Sequence, residues 1–334
     1  MTINDKNHPT VKFGKTGILI VNLGTPDSTS WWDIRKYLKE FLSDRRVIEV
    51  NPIIWQIILN LFILTFRPSK TAHAYKKIWM KETNESPLRY YTNSQKNKLN
   101  KKLGSNKVVI EYAMRYGKPS IKKRLNFLKE SGCEDIIILP LYPQYAAATT
   151  ATVCDEVYRN LMQMRWQPSL RIIPHYESNP NYIEALVRSI KKKILEIDWK
   201  PDLIIASYHG IPKSYFDKGD PYQCYCQKTT RLMKEKFDDI LIETTFQSRF
   251  GPQEWLTPYT DKTFEALPGK GIKSILVICP GFSSDCVETL EEINIQGRES
   301  FIKSGGNNFD LIPCLNDNDD HINLLENLIK KYLI

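Results

Sequence analysis

His209 is the residue whose type and setting are best suited to accept a proton. It follows the apolar run LIIASY and precedes Gly-Ile-Pro, so its imidazole is predicted to emerge where a strand ends in a sharp turn. The other four histidines, at positions 8, 73, 175 and 321, lie in loop or helical contexts. The same setting also suits a core histidine that only bonds a backbone carbonyl, and spacing alone leaves both interpretations open.

A second group of polar residues follows the apolar run SILVICP, which is predicted to be another strand. Asp285, Glu288, Glu292 and Gln296 recur at intervals of three and four residues, which would place them on one face of an α-helix. An acidic first turn on a solvated helix has the same pattern. The position after a strand, as for His209, favours a carboxylate that faces the imidazole and serves proton transfer or delivery of a hard metal ion.

These residues lie at the ends of short apolar runs that alternate with helical periods. The runs predicted as strands are 17–22, 107–113, 135–140, 170–174, 202–207, 240–246 and 274–280. Unbroken apolar runs are typical of parallel strands covered on both faces, so we predict an α/β fold. Segment 17–26 resembles 202–212, and 137–158 resembles 275–293, which indicates two related halves with a seam near 166–169. Ligands of open parallel sheets bind beyond the carboxyl ends of the strands, where the polar residues above are predicted to lie.

The composition limits the class of protein. The chain has 334 residues, enough for about two domains, and its 42% hydrophobic and 25% charged residues exclude collagen-like, coiled-coil and wholly disordered proteins. Lys and Arg outnumber Asp and Glu by 47 to 38, an excess that suits an anionic membrane, a nucleic acid or an acidic small molecule. The seven cysteines are odd in number and lie mostly in apolar runs, so we expect free thiols in a reducing compartment.

No secretory signal is predicted at the N-terminus, because an apolar core and a cleavage site are missing there, and the protein is expected to stay inside the cell. Segment 53–66 is apolar but contains Gln56 and Asn60 and is shorter than the ~20 residues of a membrane span, so we predict that it does not cross a bilayer. It is either a buried helix or a Trp-bearing segment, followed by Arg67 and Lys70, that enters a membrane interface.

Common cofactor and metal motifs are missing from the sequence. Cys224 and Cys226 lack the spacing and the number of ligands of a zinc or iron–sulfur site, so we interpret them as surface thiols. There is no GxGxxG, Walker A or GxSxG motif, so dinucleotide-binding, nucleotide-hydrolysing and serine-hydrolase functions lose their usual support.

The sequence resembles the ferrochelatases, which insert ferrous iron into a porphyrin, over almost its whole length. The matching segments are NLGTPDS (22–28), FLSDRRVIE (41–49), ESPLRYYT (85–92), AMRYGKPSI (113–121), LYPQYAAATT (141–150), SYHGIP (207–212), KGDPYQCYCQKT (218–229), FQSRFGPQEWLTP (246–258) and PGFSSDCVETLEEI (280–293). The resemblance implies two similar Rossmann-like domains, each a parallel four-stranded sheet flanked by helices, with the active-site cleft between them. We place them at 1–166 and 167–318, with a closing helix at 319–334 that packs on the N-terminal half.

The resemblance also implies roles for individual residues. His209 faces the porphyrin and takes pyrrole protons or binds the entering metal, and Glu288 lies across the ring as a metal ligand or proton carrier. Glu292 is the next acid of the relay and Asp285 an acid beside the site, whereas the third acidic position of better-known relatives is Gln296 here. The residues that line the macrocycle, bind its propionates or stand at the pocket lip are Arg67, Tyr75, Ser86, Arg115, Tyr116, Gln247 and Trp255.

The activity implied by the resemblance is insertion of Fe²⁺ into protoporphyrin IX, the last step of haem biosynthesis, with release of two protons and no tightly bound cofactor. A [2Fe–2S] cluster of the animal type is expected to be absent, because alanines follow YPQY and no cysteine follows Cys314. The alternatives are a coproporphyrin substrate, a cobalt or nickel chelatase for a more reduced tetrapyrrole, and a non-catalytic porphyrin or haem carrier. Nucleic acid is not an expected partner, because the basic charge is spread along the chain. We expect a cytoplasmic protein, loosely bound through 53–66 to the anionic inner face of the membrane.

Overall fold

The computed structural model describes residues 12–333 and contains two parallel sheets of four strands, each covered by helices. The strands are β1 Lys15–Thr25, β2 Val108–Gly117, β3 Cys133–Pro140, β4 Ser169–Ile172, β5 Leu203–His209, β6 Ile242–Gln247, β7 Ser274–Ile278 and β8 Asn308–Leu311. Their order is β2-β1-β3-β4 in the first sheet and β6-β5-β7-β8 in the second, so the halves share one topology. The predicted fold is confirmed. The first residues, where no secretory signal was predicted, lie outside the described range.

Helices connect successive strands and cover both faces of each sheet. They are α1 Trp31–Leu42, α2 Pro52–Ile58, α3 Leu64–Ile78, α4 Pro87–Leu103, α5 Ile121–Glu130, α6 Thr152–Leu161, α7 Pro180–Glu196, α8 Lys213–Asp217, α9 Tyr222–Lys234, α10 Thr260–Ala266, α11 Arg298–Lys303 and α12 Asp319–Lys330. Wider, π-helical turns occur at Leu59–Ile63, Ala147–Ala151 and Glu288–Gly297, and a 3₁₀ turn at Pro268–Lys270.

The sheets are buried because helices pack on both of their faces. In β1, Ile18 and Ile20 face one apolar cluster and Leu19 and Val21 face another, and all four are fully buried. Each such side chain contributes roughly 1.5–3 kcal/mol through removal of its surface from water. This double coverage explains why the strands are unbroken apolar runs in the sequence.

The boundary between the halves lies later in the chain than predicted. β4 pairs in parallel with β3, from Asp135 opposite Ser169 to Ile138 opposite Ile172, so a boundary at 166/167 separates the first sheet from its last strand. The sequence of a short edge strand does not show which sheet it joins. The predicted closing helix 319–334 contains α12, which contacts α4 of the N-terminal half, where Lys102 Nζ lies 2.8 Å from Glu326 Oε2.

The apolar segment 53–66 belongs to a helix that is longer than the apolar run. The helix continues through the π-turn from Pro52 to Ile78, and its 27 residues are enough, by length and composition, to cross a membrane. The length of the helix therefore does not exclude a membrane span, and the prediction that the segment does not cross a bilayer stays a prediction. The helix is not the buried one of the first interpretation, because only 17% of its most apolar window is buried.

The two sides of this helix have different surroundings. Leu59 and Leu64 are fully buried against α1 and its neighbours. On the outer side the large apolar residues Ile53, Ile54, Ile57, Leu61, Phe62 and Phe66 are exposed. The helix thus lies along the surface of the N-terminal half, with a second apolar side turned outward.

Candidate active site

His209 is the last residue of β5 and lies next to Gln247, the last residue of β6, in the parallel register. Its Nδ1 is 2.6 Å from the carbonyl oxygen of Gly210. A carbonyl only accepts, so Nδ1 donates its hydrogen and Nε2 keeps its lone pair. The contact of Nδ1 fits a histidine that bonds a backbone carbonyl, and a functional role at Nε2 stays a prediction. The half-buried imidazole is held in the tautomer that can accept a proton or bind a metal ion at Nε2.

Gln247 links the position of His209 to that of Glu288. Its buried Nε2 donates to the carbonyl oxygen of Glu288 over 2.8 Å, and its Oε1 accepts from Ser207 Oγ over 2.7 Å. Glu288 is the first residue of the π-helix Glu288–Gly297, which we call the acidic helix. The same buried amide therefore fixes the start of the acidic helix beside the end of β5, which brings His209 and Glu288 to one edge of the second sheet.

Glu292 is held by the turn that follows β6. The backbone N–H of Ser248 donates to its Oε1 over 2.7 Å, and Ser248 Oγ donates to its Oε2 over 2.5 Å. Ser248 has a φ of +66°, a left-handed conformation that directs both donors to one carboxyl group. Burial raises the pKa of Glu292, and the charge of Glu288 adds to this, whereas Ser248 and His209 oppose it. A carboxyl group with a raised pKa next to an imidazole suits proton transfer.

The carboxylate of Glu288 faces buried phenol and thiol groups from the N-terminal half and its own turn. Burial, followed by the charge of Glu288, raises the pKa of Tyr75 on α3 and of the Cys286 thiol. Tyr37 on α1, whose hydroxyl donates to the carbonyl oxygen of Gly24 over 3.3 Å, also has a raised pKa, caused by burial, Tyr75 and Glu288 in that order. These groups stay neutral, so they can donate hydrogen bonds without adding charge to the site.

Arg115 and Tyr116 are held together by Asp44, a residue that the sequence analysis did not single out. The Arg115 guanidinium forms a buried ion pair with Asp44 and donates to the carbonyl oxygen of Thr152 over 2.8 Å. The Tyr116 hydroxyl donates to Asp44 Oδ2 over 2.9 Å, and the guanidinium lies 4.3 Å from the centre of its ring. These contacts leave Arg115 engaged inside the protein. Asp44 lies in the matched segment FLSDRRVIE, which was the signal available in the sequence.

The prediction of one acidic helix face is wrong for two of its four residues. In a π-helix the hydrogen bonds span five residues, and Gln296 Nε2 donates to Glu291 Oε2, five positions back, over 2.7 Å. Asp285 is buried and accepts from Asn316 Nδ2 over 2.6 Å and from Thr289 Oγ1 over 3.0 Å. Its partners are the loop after β8 and Thr289, the residue after Glu288, and none of its hydrogen bonds within residues 12–333 involves His209, Glu288 or Glu292. A relay role for Asp285 stays a prediction.

Three predicted porphyrin-binding residues have different surroundings. Ser86 is buried as the N-cap of α4. Trp255 is buried, and its Nε1 donates to the carbonyl oxygen of Phe250 over 3.0 Å. Arg67 is exposed, with its guanidinium carbon 5.2 Å from the centre of the Phe250 ring, and forms no ion pair within residues 12–333. The guanidinium of Arg67 is therefore accessible to a ligand from solvent.

Within the part of the chain that the structure describes, no group of three or more His, Cys, Asp or Glu side chains is arranged to hold a metal ion. Cys224 is exposed and Cys226 is buried on the same helix, α9, so the interpretation as surface thiols is wrong for Cys226, which faces the core. The absence of a [2Fe–2S] cluster stays a prediction.

Residues 15–333 match the family model of the ferrochelatases. A ferrochelatase from Agrobacterium fabrum is 53% identical over 330 residues, which cover 98% of this chain and 96% of that protein. This chain belongs to the ferrochelatase family. A ferrochelatase from Francisella tularensis subsp. tularensis is 52% identical over 322 residues and covers 95% of this chain and 96% of that protein. The family predicted from the motifs is confirmed.

Two solved structures resemble the fold at low sequence identity. SirB from Bacillus subtilis with Fe³⁺ has a TM-score of 0.59 and 12% identity and covers 95% of both chains. CbiX, described as the terminal enzyme for biosynthesis of sirohaem in denitrifying bacteria, has a TM-score of 0.52 and 11% identity and covers 95% of this chain. At this identity the likeness shows a shared fold.

Proposed function

We propose that this protein is a ferrochelatase that inserts Fe²⁺ into protoporphyrin IX, releases two protons and so completes haem biosynthesis. Family membership over residues 15–333 supports the reaction. The observation on which the proposal chiefly rests is the His209 imidazole, held through Nδ1 by the Gly210 carbonyl oxygen and fixed at one sheet edge with Glu288 and Glu292.

The residues at this edge can divide the proton transfer between them. A free-base porphyrin must lose two N–H protons before its nitrogens bind a metal, so the reaction needs a positioned base. We assign that role to His209 Nε2, with Glu288 stabilising the imidazolium and acting as a hard ligand for the incoming Fe²⁺. Glu292, with its raised pKa and two hydrogen bonds from Ser248, accepts the proton next.

The macrocycle is proposed to lie between the two halves, against the residues that the family motifs provide. Tyr75, Ser86, Tyr116, Gln247 and Trp255 are buried and so can line or support an apolar slot. An exposed Arg67 supplies a cation for a propionate, whereas Arg115 is engaged by Asp44 and supports Tyr116.

The membrane contact is proposed to be peripheral, on the cytoplasmic side. The helix 52–78 contains four basic residues and no acidic one, and its outward side is apolar. Both features favour an anionic lipid surface. Its opposite side packs on the protein through Leu59 and Leu64, which supports a helix that lies in the interface rather than one that crosses the bilayer.

Sedimentation with vesicles tests the membrane contact. Leu61 and Phe62 are 63% and 59% exposed on this helix, whereas Met162, at the end of α6, is 81% exposed. The double variant Leu61→Glu/Phe62→Glu is expected to lose binding to phosphatidylglycerol vesicles, and the control Met162→Glu to keep it. Alkaline carbonate is expected to extract the wild-type protein from the vesicles. Wild-type protein that stays with the vesicles would indicate a helix that spans the bilayer.

Anaerobic mixing of the purified protein with metal and porphyrin tests the reaction. Protoporphyrin IX with Fe²⁺, or with Zn²⁺ as a substitute, is expected to show its four visible bands collapse to two. Faster turnover with coproporphyrin would assign the alternative substrate, and preference for Co²⁺ or Ni²⁺ would indicate a different chelatase. Porphyrin binding without metalation by any of these metals would make the protein a carrier. The anaerobic protein is also expected to lack a charge-transfer band that bleaches with dithionite.

A further inference from the structure

An ion pair outside the group around His209 joins the two halves next to the acidic helix. Lys77 Nζ, near the end of α3, lies 2.9 Å from Oε1 of Glu291 in the π-helix Glu288–Gly297. Glu291 is 4% exposed, and its second oxygen accepts from Gln296 Nε2 over 2.7 Å. The carboxylate is therefore buried with both oxygens bonded, and in the chain it stands between Glu288 and Glu292 of the proposed site.

The π-helix needs such contacts to keep its register. A π-turn holds one residue more than an α-turn and is rare as a run of ten residues, so the side chains around it must stabilise it. Three contacts hold it from different sides: Gln247 bonds the carbonyl oxygen of Glu288, Ser248 bonds the carboxyl of Glu292, and Lys77 pairs with Glu291. Of these, only the pair with Lys77 comes from the N-terminal half.

We infer that Lys77 and Glu291 are positioning residues for metal insertion: their ion pair holds the π-helical register that directs Glu288 and Glu292 toward His209. An α-helical register would rotate Glu292 relative to Glu288, because the angle between successive residues would change. Within residues 12–333 the carboxylate of Glu291 bonds Lys77 and Gln296 and none of the residues assigned to the proton or the metal, so it acts through the helix. The inference rests on the proposed function for its kinetic part.

The same pair couples α3 to the site. Tyr75, two residues before Lys77, faces the Glu288 carboxylate. α3 therefore meets the acidic helix at two points, Tyr75 with Glu288 and Lys77 with Glu291. α3 is also the last part of the helix 52–78, whose outward side is apolar.

A double-mutant cycle on the full-length enzyme tests the inference. Lys77→Met and Glu291→Gln are each expected to lower kcat for Zn²⁺ insertion about tenfold, with KM for the porphyrin changed less than threefold. The double variant is expected to be no slower than the slower single variant, because the interaction is already lost. Lys77→Arg, which keeps the charge, is expected to stay within threefold of wild type.

Amide hydrogen exchange provides a readout that does not need activity. Peptides covering 288–297 are expected to exchange at least tenfold faster in Lys77→Met and Glu291→Gln and at the wild-type rate in Lys77→Arg. The control Lys102→Met removes an ion pair between the halves away from the site and should change neither kcat nor this exchange. If either Lys77→Met or Glu291→Gln fails to fold, the other single variant and the double variant test the inference.

Two results would overturn the inference. One is wild-type kcat together with wild-type exchange at 288–297 in folded neutral variants. The other is a general loss of stability with faster exchange throughout the chain and no selective effect on kcat. If the wild type inserts no metal into any porphyrin, the proposed function fails, and the exchange measurement alone then judges the pair.

Discussion

The chemistry of single residues here depends on which atom of each side chain is already bonded. His209 uses Nδ1 to hold its ring and keeps Nε2 free, whereas Glu292 uses both oxygens to bind Ser248. Glu288 differs from both, because its backbone carbonyl is the atom held by Gln247 and its carboxylate remains directed toward the N-terminal half. We therefore expect loss of each side chain to have a different effect.

Glu288→Gln is expected to bind porphyrin normally and to insert metal at least about tenfold more slowly, because the charge that stabilises the His209 imidazolium and binds the metal is lost while the Gln247 bond to the backbone remains. Porphyrin titration and stopped-flow metalation measure the two effects separately. Turnover close to that of wild type would remove Glu288 from the mechanism.

Glu292 should make the wild type less stable relative to a Glu292→Gln variant as the pH rises. Burial raises the pKa of Glu292 above its ordinary value of 4.5. The stabilisation from the protonated carboxyl is complete below that ordinary value, and it is lost as the pH rises through the higher pKa of the folded state. Urea unfolding of both proteins at several pH values above 4 measures the difference. A constant difference across this range would contradict the raised pKa.

Sequence reasoning predicted that His209, Glu288 and Glu292 come together, but it did not predict the bonds that hold them. His209 was predicted at a strand end because its apolar run and the following turn are local features. The interactions of Ser248 with Glu292 and of Lys77 with Glu291 join residues 44 and 214 positions apart, and no local pattern indicates such pairs. The roles assigned to the individual site residues remain predictions.

At the scale of elements, two helices differ most from expectation: the acidic helix Glu288–Gly297 and the helix 52–78 on the surface of the N-terminal half, called the surface helix below. A spacing of three and four residues fits an α-helix, but Glu288–Gly297 is π-helical, so Gln296 turns to Glu291. The apolar run 53–66 ends well before its helix does, because α3 continues with polar residues on one side to Ile78. In both elements tertiary contacts, which the sequence does not display, determine the geometry.

The seven strands predicted from apolar runs are all present, and β8 was missed. Its four residues, Asn308–Leu311, include only two that are apolar. It joins the sheet because β7 offers a free edge, from Ser274 opposite Asn308 to Val277 opposite Leu311. Such a strand is determined by its neighbour more than by its own sequence.

Leu64→Ala tests how the surface helix is attached to the protein. Leu64 is 0% exposed against α1, so its truncation leaves a cavity and is expected to lower the free energy of unfolding by about 2–5 kcal/mol. Leu61→Ala, on the exposed side of the same helix, is expected to change it by less than about 0.5 kcal/mol. Equal effects in urea denaturation would show that the helix does not pack as described.

At the scale of the whole molecule, the C-terminal helix ties the two halves together. α12 packs on α4, and at its start the buried His321 donates from Nδ1 to the carbonyl oxygen of Asn316 over 2.6 Å. Asn316 also bonds Asp285, just before the acidic helix. The closing segment therefore contacts both the N-terminal half and the loop that leads into the site.

The burial of His321 should make the fold sensitive to acid. Burial lowers the pKa of His321 from 6.5 to about 4. The unfolded chain takes up this proton first as the pH falls, so stability is complete above pH 6.5 and declines toward pH 4, by on the order of 3 kcal/mol. His321→Asn keeps a donor and removes the titration, so its stability should decline less over this window. An unchanged slope in unfolding experiments would contradict the burial.

The most direct test of the account is single-turnover metalation by wild type, His209→Ala and His73→Ala. His73 lies exposed on α3 and serves as the control. With protoporphyrin IX and Fe²⁺ under anaerobic conditions, wild type and His73→Ala are expected to convert the bound porphyrin to the metal complex. His209→Ala is expected to bind the ring but to metalate it at no more than about one hundredth of the wild-type rate, since its base is gone. Metalation by His209→Ala at the wild-type rate would contradict a reaction centred on this histidine.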